Sequence, residues 1–168
     1  MHKHLILPAT LLIAACGGGD DEIASGTFDD GEGNQGSYGV SGDNGNSETV
    51  IQSDRGEVRI ASGDKALKDL PMGIELYPGA TVQTSMSGVG DGKSGAMVVL
   101  KTEDSVDEVM SFYRKQLKSK GIEVETEIKS GDMQMIGGDG ADGEGVSVSA
   151  TKSPDGGVTA TIIAGGNS

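Results

Sequence analysis

From residue 72 onward the hydrophobic and polar positions alternate in patterns that predict regular elements. Ala80 to Ser87 and Ser94 to Thr102 read as two strands joined by a loose Gly-rich turn over 88–93. Val106, Val109, Met110, Tyr113 and Leu117 then recur at helical spacing. Ser105 and Glu108 form a Ser-x-x-Glu capping box ahead of them. Lys115, Lys118 and Lys120 suit the negative end of that helix, and Gly121 is its expected stop. Ile122, Val124, Thr126 and Ile128 alternate with Glu123, Glu125, Glu127 and Lys129, which predicts a strand with one wet face. Met133 to Ile136 fits a short strand, and Val146, Val148 and Ala150 alternate in another. Pro154-Asp155-Gly156-Gly157 is a turn, and Val158 to Ala164 the returning strand.

Ahead of this region the signals weaken. Glu48 to Ser53 and Glu57 to Ala61 are short β-rich runs around Ser53-Asp54-Arg55-Gly56, which suits a hairpin. Tyr38 and Val40 alternate with small residues, and Gly63 to Pro71 reads as a connector. Gly17 to Gln35 is rich in glycine and acids, with isolated apolar residues, and reads as a flexible tether. Residues 1–15 place Lys3 before an apolar run from Leu5 to Ile13, closed by Ala14 and Ala15. That is the layout of a secretory signal peptide, and it is too short to span a bilayer as a helix.

The expected organisation is therefore a signal peptide over 1–15, a disordered tether over 16–35, short β segments and a connector over 36–69, and an α+β domain over 70–168. A helix with one apolar face needs a sheet to cover it. The fold expected is one antiparallel sheet with a single amphipathic helix on one face.

Composition narrows the chemistry. The net charge is −13, with 26 acidic against 13 basic residues. Nucleic-acid binding draws its affinity from Lys and Arg displacing counterions, so a nucleic-acid partner is not expected. A cationic protein or another cationic envelope component would be attracted. Both histidines, His2 and His4, lie in the signal, and Cys16 is the single cysteine. Ser-His-Asp catalysis, Cys-His catalysis and His/Cys zinc sites are thereby excluded from the mature chain. Gly92-Lys93-Ser94 lacks the preceding glycine of a phosphate loop and precedes a strand. No Ser-x-x-Lys constellation stands on the helix, so the chain reads as a non-enzyme.

Leu12-Ile13-Ala14-Ala15-Cys16 resembles the lipobox of bacterial lipoproteins. The resemblance implies cleavage before Cys16, diacylglycerol on its sulfur and acylation (palmitate-type chains) that anchors the protein to a membrane of the cell envelope. Gly17, rather than Asp, resembles the outer-membrane default of Gram-negative lipoproteins, facing the periplasm. A second resemblance runs over about residues 70–165. Leu76-Tyr77-Pro78-Gly79-Ala80, two strands, then Phe112-Tyr113-Arg114-Lys115-Gln116-Leu117 and Lys120-Gly121 are similar to a small domain of bacterial envelope proteins. That family brings no established activity and no catalytic residues.

The sharpest candidate ligand site is Gly137 to Gly145. It matches the start of the nonapeptide calcium repeat, with Asp139, Asp142 and Glu144 as hard oxygen ligands. Glu144 departs from the apolar residue that repeat requires, and a solvated acidic loop is the competing reading. Asp29 to Asn34 lacks the spacing of an EF-hand. Met133 and Met135 share a strand face, as thioethers for Cu(I) or as flexible core filler. Phe112 lies beside the helix stripe, either as a binding anchor or as a widening of the buried face. The function expected is a lipid-anchored envelope protein acting as a binding or structural module. The alternative is a calcium-linked binding protein using the 137–145 loop.

Overall fold

The computed structural model describes residues 22–29 and 35–167. The expected signal peptide and Cys16 lie outside them. Ten strands form one antiparallel sheet: β1 (Glu22–Asp29), β2 (Gln35–Asp43), β3 (Asn46–Ser53), β4 (Gly56–Ser62), β5 (Thr81–Gly90), β6 (Lys93–Thr102), β7 (Thr126–Ser130), β8 (Met133–Asp139), β9 (Gly145–Lys152) and β10 (Val158–Asn167). Their order is β1-β2-β3-β4-β5-β6-β10-β9-β8-β7. Among the described residues one α-helix, α1 (Val106–Ser119), connects β6 to β7. The α+β class with a single helix on one face is what the sequence predicts.

The helix is fixed locally before it packs. The Ser105 hydroxyl accepts from the Glu108 backbone N–H at 3.3 Å, while the Glu108 carboxylate accepts from Ser105 N–H at 3.0 Å. At the other end Gly121 takes φ +73 and Ile122 N–H reaches back to the Leu117 carbonyl at 2.9 Å. Val109, Met110, Tyr113 and Leu117 are fully buried against strands that contribute Val98, Leu100, Val148 and Ile162. Each such side chain stabilises the fold by about 1.5–3 kcal/mol relative to exposure. The segment 63–80 covers the rest of this face, with Ala66, Leu70 and Ile74 buried.

The structure departs from expectation in three places and settles one that the sequence left open. Residues 22–29, expected inside a disordered tether, form β1, paired with β2 from Glu22↔Ser41 to Asp29↔Gln35. The pairing works through glycine. A Cβ on Gly26 would sit 2.8 Å from the Tyr38 ring, and one on Gly36 would sit 2.3 Å from the Phe28 ring. Each aromatic ring thus lies over a bare backbone on the neighbouring strand, a cross-strand arrangement that composition alone hides. The segment 36–62, for which the sequence leaves open a small sheet of its own or a place in the main one, joins the main sheet through β4↔β5. The turn after β5 contracts to Asp91-Gly92, both at positive φ, so Gly88, Val89 and Gly90 belong to the strand. Finally, only Thr126–Ser130 of the alternating 122–129 run pairs as a strand, because Ile122 is held in the helix cap.

Candidate binding face

One face of the sheet is packed and the other is open. On the packed face α1 lies over β8 and β9, and the 63–80 segment covers its neighbours. The interior there is filled by side chains with no exposure. The two signature stretches of the sequence meet at its edge. Ala80 N–H closes a turn onto the Tyr77 carbonyl at 3.2 Å, with Gly79 at φ +76. That turn sets the Tyr77 ring edge-on to Phe112, with centroids 5.2 Å apart, and Phe112 meets Tyr113 at 5.1 Å. Phe112 is half-buried against the core, so it widens the buried face of the helix. The Tyr77 hydroxyl donates to Asp104 at 2.7 Å, and this bond lifts its pKa to about 12.

The open face is built differently. Strand register places Tyr38, Ile51 and Val58 in one row on β2, β3 and β4. The same row continues as Gly88, Gly95, Gly165 and Gly145 on β5, β6, β10 and β9. Beside it runs Val40, Thr49, Ile60, Met86, Met97, Ile163 and Ser147. Tyr38, Ile51, Val58, Ile60, Met86 and Ile163 are each more than a third exposed. A groove of about 740 Å³ lies over the glycines, walled by Val58, Met86, Met97 and Ile163, with Lys93 and Asn167 at one rim. Gly88 and Gly95 are not at positive φ, and a Cβ there would meet its nearest neighbour at 3.5 and 3.7 Å, ordinary contact. The backbone does not require glycine at either position, although glycine costs a strand about 0.5–1 kcal/mol.

Charge divides the two faces. Among the described strand residues Glu48, Glu57 and Glu127 project from the packed side, where Arg59 bridges Glu48 at 2.6 Å and Arg114 bridges Glu127 at 2.6 Å. By register the open face carries a single strand carboxylate, Asp139, at the last position of β8. Its lysines are Lys93 and Lys101, the latter paired with Asp155. In a chain of net charge −13, this separation leaves one broad apolar, carboxylate-poor surface.

The acidic 137–145 stretch runs from a strand end through a tight turn into the next strand. Asp139 ends β8, Ala141–Gly143 is a 3-10 turn and Gly145 opens β9. Gly140 N–H donates to the Glu144 carbonyl at 2.9 Å and Glu144 N–H to the Ala141 carbonyl at 3.1 Å, so the turn closes on its own backbone. The Asp139 carboxylate lies beside Gly145 on the open side. Glu144 lies against Gly140 and Gly166, near Met72, on the packed side. Asp142 sits in the turn between them. Among the described residues no group of three or more acidic, His or Cys side chains is arranged to hold a metal. Asp29 closes β1, and the rest of the 29–34 motif lies outside the described residues. Met133 and Met135 share the open face of β8, with the intervening Gln134 donating to Asp107 at 2.6 Å from the packed side.

The groove residues Val58, Met86, Met97 and Ile163 are ones that sequence reasoning passed over. A signal for them was present. Ala96 to Leu100 and Ile162-Ile163 are apolar at successive positions, which puts apolar side chains on both faces of a strand.

No curated protein and no solved structure matches the chain. A START domain-like family model matches residues 82–157, a stretch that begins inside β5, holds β6, α1, β7, β8 and β9, and ends just before β10. Over those residues the chain is similar to the START domain-like family.

Proposed function

We propose that this protein is a lipid-anchored module of the cell envelope that works by binding, without catalysis, through the open face of its sheet. The observation that carries this reading is the apolar groove over Gly88, Gly95 and Gly165 on a face nearly free of carboxylates. Exposed apolar surface of this extent on a soluble domain marks an interaction site. Similarity to the START domain-like family over 82–157 supports a ligand-binding module. The lipobox at Leu12–Cys16 supports membrane attachment through Cys16, at the outer membrane facing the periplasm in a Gram-negative cell. The acidic packed side and rims suit steering of a cationic protein or envelope component towards the module.

The test is a photo-crosslinking residue placed at Met97, on the open face, with Arg59 on the other side of the sheet as the control position. Irradiated envelopes should give a discrete adduct from position 97 and none from 59. Met86→Glu should abolish the adduct. An open face that gives no adduct in intact envelopes defeats this reading.

A further inference from the structure

The open face is self-complementary, and we infer that its partner is a second copy of this chain, the two sheets packing face to face about a two-fold axis. The inference deepens the binding role proposed above and rests on it. Consider an axis lying between the sheets, parallel to the strands, at the boundary of β4 and β5. Rotation about it keeps position along the strands and reverses strand order. Each row then meets the same row of the partner, reflected about the Val58–Gly88 step.

The two halves of the central row fit each other under that operation. Val58 faces Gly88 and Ile51 faces Gly95, so each of these side chains meets a bare backbone, while Tyr38, its ring laid over Gly26, faces Gly165. In the neighbouring row Ile60 faces Met86, Thr49 faces Met97 and Val40 faces Ile163, mostly apolar upon apolar. A two-fold interface needs this: each contact from ridge to trough is repeated from trough to ridge. Sheets that pack in aligned fashion keep their strands within about 30°, so the match is best at the axis and loosens towards the edges.

Charge and area agree. Two chains of net charge −13 repel as wholes, yet the rows that would touch contain no carboxylate. Eight strands about 4.8 Å apart, over about 20 Å of strand length, offer about 800 Å² per copy. That is the size of a standard stable interface. A small ligand in the groove would leave Tyr38, Ile51 and Ile60 in water, whereas a second sheet covers them together. The glycines at 88 and 95, which the chain's own backbone does not demand, admit the partner's side chains.

The experiment is sedimentation velocity and light scattering on the mature chain, residues 16–168, carrying Cys16→Ser so that acyl chains cannot drive association. The wild-type face should give a dimer. Gly95→Leu, which has room in the monomer, should retain a cooperative melt and weaken dimerisation about tenfold or more by filling the trough. Adding Ile51→Ala should recover part of the loss, because position 51 meets position 95 across the axis. A monomer at about 100 µM, or a dimer indifferent to Gly95→Leu, overturns the inference. A monomer that still gives a heterologous adduct from Met97 in envelopes overturns the dimer alone. Absence of any adduct removes the binding role as well.

Discussion

The carboxamide of Gln116 binds both backbone groups of Glu75: its oxygen accepts from the Glu75 N–H at 3.0 Å and its nitrogen donates to the Glu75 carbonyl at 3.0 Å. A buried polar side chain on the apolar face of α1 thereby satisfies a segment that has almost no ladder of its own beyond the Asp69↔Glu75 bridge. Gln116→Leu keeps the volume and leaves two backbone groups unpaired. The expected loss is about 2–4 kcal/mol of unfolding free energy, read from the denaturant midpoint. Gln116→Glu should also destabilise, because a carboxylate cannot donate to the Glu75 carbonyl.

Alkaline titration should find the Tyr77 phenol ionising late. Its hydroxyl donates to Asp104, which holds the proton on and raises the pKa to about 12. An unfolded tyrosine ionises near 10. The folded pKa is the higher one, so this contribution to stability is complete below about pH 10 and is lost as pH rises from there to about 12. Asp104→Asn should return the phenol towards its ordinary value, seen as earlier growth of tyrosinate absorbance. An unchanged titration curve would show that the Tyr77–Asp104 bond is not made in solution.

The hairpin between β9 and β10 offers a backbone test. Gly156 and Gly157 both take positive φ, but a Cβ on Gly157 would sit 2.4 Å from the Thr102 carbonyl oxygen, while one on Gly156 meets nothing within 4 Å. Gly157→Ala is expected to cost about 2–3 kcal/mol and Gly156→Ala about 1 kcal/mol. Thermal melts of the two variants should fall in that order.

Cys16 carries the anchoring proposal. Labelled palmitate fed to expressing cells should enter the wild-type protein, and Cys16→Ser should abolish incorporation. Release of the variant into the soluble fraction should accompany the loss. Label that persists in the variant would place acylation elsewhere.

Where a residue's neighbours are close in sequence, the chain disclosed its structure. Ser105, Glu108 and Gly121 mark both ends of α1, and the apolar stripe between them names its buried face. Pro154 to Gly157 marks the last hairpin. What stayed hidden depends on distant pairing. β1 is stabilised by aromatic rings laid over glycines one strand away, so Gly26 and Gly36 read as flexible until Tyr38 and Phe28 are seen above them. The open face is assembled from every second residue of ten strands, and no window of the sequence contains it.

The pairing of β1 also shortens the leash. If Cys16 carries the anchor, only residues 17–21 separate it from the first strand, a span of at most about 18 Å. In the two-fold pair the axis runs along the strands, so both Glu22 ends emerge at the same end of the assembly, at opposite outer margins. The pair would stand on its membrane like a trestle, two feet apart by nearly the width of the sheet, strands upright and helices facing sideways. Its surface for further partners would then be the far rim of the sheet, held at a fixed height above the lipid.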